Sequence, residues 1–317
     1  MGEIKLKTTN KMKRILTFLC AVMMSLAANA QVLYKISGNG LQKDSYVLGT
    51  VHVIKASFVD SIPGVNRVLN EVEQVYGELD MRHVSNQDTL LAVAQMMMLP
   101  PDSVATKIMT EEEFATLCRV VNENYNIDLK NPQYAVLLQF YPLMVMVTIP
   151  QLSEMMKLQK AMAEGTDVET PEQIMDISIQ QKAIGLSKPV FGLETYSFQI
   201  KLLTSLFEMP LHEQYLKMIE SFEKKGESEK TIKGLVDAYK TFNLDKLSVY
   251  LQASTDDFQN MSNRVFDSRN EDWAKKMPAI MSEKSTLFAV GAGHLIGDKG
   301  ILQLLKNQGY KVKAVKK

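Results

Sequence analysis

Cysteine is almost absent from this chain: Cys20 and Cys118 are the only two in 317 residues, and Cys20 falls in a segment marked for removal. With one thiol left, no disulfide can form within the chain, so stability must come from buried apolar area. An excess of one charge is also lacking, since 36 Lys and Arg face 36 Asp and Glu. Such a balance gives no general attraction for nucleic acid or anionic lipid. Beyond residue 30 there is no long hydrophobic run. The most apolar stretch, Ala135 to Pro150, is interrupted by Pro142 and is shorter than the roughly 20 residues a membrane span needs. No integral membrane segment is therefore expected in the mature chain. A Gly-x-Ser-x-Gly elbow, a Walker loop and a His-Glu-x-x-His helix are missing too, which excludes the usual signatures of serine hydrolases, nucleotide binders and zincin proteases.

The first thirty residues read as a targeting segment. Lys11, Lys13 and Arg14 precede an apolar run from Ile15 to Leu26, and Ala28-Asn29-Ala30 supplies a small-x-small cleavage pattern. Residues 1–30 are thus expected to be a signal peptide, best proportioned if translation starts at Met12. Cleavage is expected before Gln31, and the mature protein would be exported to the periplasm or secreted.

Residues 31–317 suit a single α/β (α+β) domain. Val32–Ser37 and Ser45–Val53 are strand-like, with a turn marked by Asn39-Gly40 and Lys43-Asp44. Ser61-Ile-Pro63 opens a helix with Val65, Val68, Leu69 and Val72 at helical spacing, and Val75–Leu79 reads as the next strand. The C-terminal part repeats the pattern: strand Ser285–Val290, a loop, a helix capped by Asp298 that carries Ile301, Leu304 and Leu305, then strand Tyr310–Val315. From about 88 to 281 the pattern is mostly helical, with capping boxes at Thr110–Glu113 and Thr170–Gln173. One short strand signal, Lys188–Glu194, is expected to rejoin the sheet, and Gly226–Glu229 reads as a polar loop. The predicted architecture is a sheet core built from the N- and C-terminal segments, with a large helical insertion between them. Met96–Met98, Met144, Met146, Met155, Met156 and Met162 suit ordinary helical core better than an adaptable peptide groove.

The chemistry is signalled by histidine. Only four occur, and two of them, His52 and His294, share the frame Gly-x-x-His at the end of an apolar run. Both motifs fall at strand-to-helix turns, where ligand sites form in parallel sheets, and Gly there permits a tight turn or close backbone approach. Glu78 and Glu194 also end strand-like runs, with Asp80 as a substitute for Glu78. Two imidazoles and two carboxylates suit a divalent metal, manganese, cobalt or zinc, that activates water. The same groups equally suit metal-free acid–base work, with one His as base and a Glu orienting it. Arg269, or Arg264, could hold a substrate carboxylate or stabilise an oxyanion. His83 and His212 read as exposed and inert, and Cys118 as core.

Taken together, Leu48-Gly-Thr-Val-His52, Glu78-Leu-Asp80, Lys188-Pro-Val-Phe-Gly-Leu-Glu-Thr195, Arg269-Asn270 and Val290-Gly-Ala-Gly-His-Leu-Ile-Gly297 resemble the TraB/GumN family. Its wider relatives include the Tiki metalloproteases and the erythromycin-esterase-like and ChaN-like folds. The resemblance implies an active centre made from the two Gly-x-x-His loops and a Glu. It also implies a metal-dependent hydrolase, a peptidase acting on peptide or protein substrates. The alternative it allows is a non-catalytic envelope protein that binds a peptide or haem-type ligand in the same cleft.

Overall fold

The chain begins with a hairpin whose turn needs left-handed backbone at three successive residues, Gly38, Asn39 and Gly40. Glycine and asparagine adopt that conformation at little steric cost, so the turn residues set the register of the two strands they join. Strand β1 (Leu33–Ser37) thereby pairs antiparallel with β2 (Ser45–Thr50), Leu33 opposite Leu48. A computed structural model describes residues 31–82, 87–166, 173–205, 209–252 and 263–315. The expected signal peptide, His83 and most of the Thr170–Gln173 box lie outside those residues.

Strand β2 is buried at every position, as expected of a strand covered on both faces. Its other neighbour is β5 (Thr286–Gly291), paired in parallel with Leu48 opposite Ala289. Strand β3 (Gln74–Gly77) lies on the far side of β5, and β4 (Val190–Gly192) pairs parallel with β3. Strand β6 (Lys311–Ala314) closes the opposite edge against β1, so the order is β4-β3-β5-β2-β1-β6. The sheet is therefore built from the two ends of the chain plus the short strand signal from the middle, as the sequence predicts.

Helices cover the sheet and also form a second core. Those that matter below are α1 (Val65–Glu71), α2 (Glu111–Tyr125), α3 (Pro142–Ala163), α4 (Met175–Gly185), α5 (Tyr196–Ser205), α6 (Leu211–Glu223), α7 (Lys225–Lys240), α8 (Leu244–Gln252), α9 (Ser268–Glu283) and α10 (Ile301–Asn307). Val68 and Leu69 of α1, Ile179 of α4, Trp273 and Met277 of α9 and Leu305 of α10 join the strands in one apolar cluster. Leu117 and Val121 of α2, Val145 and Ile149 of α3 and Met218 and Phe222 of α6 form another. Cys118 belongs to it. The Thr110 capping box is present in both directions and starts α2.

Several local expectations are corrected. Strand β2 ends at Thr50, not Val53, and the chain turns there, with Ile54 N–H donating to the Val51 carbonyl. Gly226–Glu229 is no loop: it forms the first turn of α7, where Lys225 faces Glu229 one turn on. Asp298 does not cap α10, whose N-cap is Gly300 with no side-chain hydrogen bond. The apolar stretch is interrupted where expected, since Pro142 begins α3 at a position where its missing N–H costs nothing. No helix among the described residues is long and apolar enough to cross a membrane. His212 stands apart from the histidines of the two Gly-x-x-His motifs, with its Nε2 3.0 Å from Glu113, where it ties α6 to the start of α2. The methionines divide: Met97 is buried, while Met96, Met98, Met155 and Met162 are exposed.

Candidate active site

Four parallel strands deliver the site. Across the sheet, β4, β3, β5 and β2 end side by side, with Gly192 opposite Gly77, Gly77 opposite Ala289, and Gly291 opposite Thr50. Just beyond these ends come Glu194, Glu78, His294 and His52, in that order across the carboxyl edge. The two Gly-x-x-His motifs thus leave adjacent strands, and their glycines let them crowd together. A Cβ on Gly49 would come within 3.0 Å of Ala292 Cα in the other motif, and one on Gly291 within 3.1 Å of Glu78 Oε1.

At the centre of the edge stands Arg269, on the first turn of α9 and buried. Its Nε and Nη2 fork onto Glu194, 2.8 Å to each oxygen. Nη2 also donates to Glu78 Oε2 at 2.6 Å, while Nη1 donates to the Val265 carbonyl and to His294 Nε2, both at 3.1 Å. All five guanidinium N–H groups are thereby used. The indole N–H of Trp273 adds a bond to Glu194 at 2.9 Å, and its ring packs beneath the guanidinium at 4.7 Å. Gln199 of α5 donates to both carboxylates.

His294 is locked from both sides. Asn270 gives its amide N–H to the Lys299 carbonyl, so its oxygen, 2.7 Å from Nδ1, accepts the ring proton. Nε2 is then the acceptor for Arg269. Burial drives the pKa of His294 down to about 3, so the imidazole is neutral. Burial would raise Glu78, but the Arg269 guanidinium and the Gly291 N–H, 2.8 Å away, outweigh that and hold its carboxyl below the usual carboxylate range.

His52 behaves in the opposite way. Its side chain is 64% exposed, and its Nδ1 lies 3.0 Å from Asp176 Oδ2 in the first turn of α4. The other Asp176 oxygen accepts the Thr50 hydroxyl at 2.7 Å. The Asp176 hydrogen bond raises the pKa of His52 to about 9. His52, Asp176 and Glu78 line one cavity of about 220 Å³, with Leu79, Ile174, Tyr196, Gln199 and Ile200 among its other walls. Met81 and Gln180 are shared with a neighbouring hollow of about 330 Å³ that includes Ile177 and Ile184.

The sequence expectation of a cation held by His52, His294, Glu78 and Glu194 can be tested on this arrangement, and the donors do not fit it. Glu194, Glu78 Oε2 and the lone pair of His294 are all committed to Arg269 and Glu78 Oε1 to the Gly291 N–H, which leaves, among the described residues, only the Nε2 of His52 without a partner in the expected donor set. Among the described residues, no group of three His, Cys, Asp or Glu side chains is disposed to hold a metal. A divalent ion ~4 Å from the guanidinium would meet a repulsion of roughly 8 kcal/mol at an effective dielectric of about 20.

The edge brings together all five singled-out residues: His294, Glu78, Glu194 and Arg269 in one buried network, and His52 beside Glu78 at the cavity. Sequence reasoning missed Asp176, Gln199 and Trp273. Asp80 does not replace Glu78, being engaged by Arg82 at 2.6 Å, and the side chain of Arg264 lies outside the described residues.

Metalloprotease TIKI1 of Danio rerio is 22% identical over 313 residues, an alignment that covers 84% of this chain and 60% of that protein. The chain thus spans less than two thirds of the length of this curated relative. No solved structure matches. The sequence pattern of the TraB/PrgY/gumN family matches residues 32–314 and takes in every residue of the site. The chain therefore belongs to the TraB/PrgY/gumN family.

Proposed function

We propose that this chain is a hydrolase of peptides and that His52 moves the proton. The observation that carries the reading is the His52–Asp176 pair at the wall of a cavity that Glu78 also lines. Asp176 fixes the ring through Nδ1, and Nε2 has no hydrogen-bond partner among the described residues, which leaves it for water or substrate. As a water oxygen adds to the carbonyl carbon, Nε2 takes its proton. The imidazolium so formed lies against Asp176 and returns that proton to the leaving nitrogen as the C–N bond breaks. Glu78 faces the same cavity as a carboxylate held in place by Arg269 and the Gly291 N–H. It is available to orient the water through a hydrogen bond.

Two further observations favour a peptide. A second hollow beside Ile177 and Ile184 shares the Met81 and Gln180 walls with this cavity, and two adjoining hollows suit successive parts of an extended chain better than a single small group. The relative from Danio rerio is named as a metalloprotease. Export after removal of residues 1–30 belongs to the same proposal, and amino-terminal sequencing of the mature protein checks it at Gln31.

The test is digestion of a mixed peptide library, read by mass spectrometry, with the wild type and His52→Ala in parallel, each with and without chelator. New termini produced by the wild type alone, chelator or not, support the reading. Stoichiometric binding of peptide or haem without turnover would replace it with the non-catalytic alternative.

A further inference from the structure

The cation at the centre of this site is a side chain. Glu78 Oε2, both oxygens of Glu194 and Nε2 of His294 converge on one guanidinium at 2.6 to 3.1 Å. Two carboxylates and an imidazole are a donor set suited to a catalytic divalent metal, which would draw the same atoms in to about 2.0–2.2 Å. Here they surround the hydrogen-bond fork of Arg269 instead.

The seat is also built for a guanidinium on the sides where a metal ion would have no use for it. The Trp273 ring lies 4.7 Å beneath the Arg269 carbon, and a planar delocalised cation is what an aromatic face favours. The Val265 carbonyl, on the last turn before α9, accepts from Nη1. Neither group belongs to the carboxylate–imidazole set, yet both fix the position of Arg269.

We propose that Arg269 substitutes for a metal ion in this protein: it holds Glu78, Glu194 and His294 in the disposition a divalent cation would impose, and it keeps such cations out. Removing the guanidinium uncovers a Glu, Glu, His cradle that takes one up. This inference concerns what organises the site, and it stands whether or not the chain hydrolyses peptides.

The experiment is elemental mass spectrometry on the mature chain after loading with manganese, cobalt or zinc and desalting. It is run on the wild type, Glu78→Gln, His294→Ala, Arg269→Ala and Arg269→Gln. The expected result is no site-bound ion in the wild type and about one ion per chain in at least one Arg269 variant, accompanied by a metal-dependent rise in melting temperature. An ion in the wild type that persists in Glu78→Gln and His294→Ala lies elsewhere and leaves the proposal standing. Near-stoichiometric metal in the wild type that is lost in Glu78→Gln or His294→Ala overturns it. So does failure of both Arg269 variants, folded or not, to take up any of the three ions.

Discussion

Asp176 holds His52 by the nitrogen that faces away from chemistry: Oδ2 is 3.0 Å from Nδ1, and the Thr50 hydroxyl fixes the other carboxylate oxygen. Replacing Asp176 with Asn removes the carboxylate whose hydrogen bond and charge raise His52 to about 9. The ring should then titrate near its ordinary value of about 6.5, as followed by NMR. Under the proposed mechanism, wild-type turnover climbs with pH up to about 9 as the base form appears. In Asp176→Asn the climb ends nearer 6.5, at a rate lower by about 100-fold. A profile that does not move would remove His52 from the role of base.

The same pair has a stability signature. His52 has a higher pKa in the folded chain than in the unfolded one, so its contribution is complete below about pH 6.5 and is lost as pH rises through about 9. With 64% of the His52 side chain exposed, solvent screening limits the effect to about 0.2–1 kcal/mol. Urea denaturation of the wild type and His52→Ala at pH 6 and pH 10 should show a difference at the lower pH only.

Acid should weaken the fold in two steps. His294 is neutral in the folded chain and titrates near 3, so protonation of the unfolded chain costs stability from about pH 6.5 downward. Glu78 is depressed by Arg269 and the Gly291 N–H, so its contribution is present above about 4.5 and declines as pH falls further. In His294→Gln the loss between pH 6.5 and 4.5 should flatten. Thermal melts across that range decide it.

Glu194→Ala should be costly because it leaves Arg269 buried without its forked partner and strands the Trp273 N–H. Breaking a buried pair from one side costs about 3–5 kcal/mol. Chemical denaturation that showed a loss below about 1 kcal/mol would mean that water or another group already screens the guanidinium.

Two glycines make an opposed pair of tests. A Cβ at Gly192 would sit 2.7 Å from the Asp80 backbone nitrogen, so Gly192→Ala should shift the ends of β3 and β4 and cost about 1–3 kcal/mol. Gly226 lies in the first turn of α7 with open space around it, and Gly226→Ala should add about 0.5 kcal/mol. Melting temperatures moving in opposite directions meet the expectation.

The parts of this site that are legible in the sequence are those with a local cause. Gly49 and Gly291 are required by the close approach of the two loops, so each His carries a marker three residues upstream. Glu78 and Glu194 end short apolar runs, and a strand end is itself a local signal. Asp176, Gln199 and Trp273 sit on helices whose spacing says only which face is buried, and nothing near them indicates a partner 124, 121 or 79 residues away. Arg269 was legible as a candidate but not in its position, because a sequence cannot show whether a guanidinium or a metal ion stands between two carboxylates. The errors at Gly226 and Asp298 have one origin: polar residues that suit a turn also suit the first turn of a helix, and packing decides between them.

Strand β5 lies between β3 and β2, yet it is synthesised more than two hundred residues after either of them. Until it arrives, β2 and β3 have no shared neighbour, whereas the helical core around Leu117, Val145 and Phe222 is already complete. Contacts this distant in sequence close slowly. The β1–β2 hairpin and the helical core are made of nearer partners, whereas the β3–β5–β2 part of the sheet needs both ends of the chain. The His294 loop is among the final pieces to arrive, so in an unfinished chain Glu78 lacks both the Gly291 N–H and the imidazole that flank it.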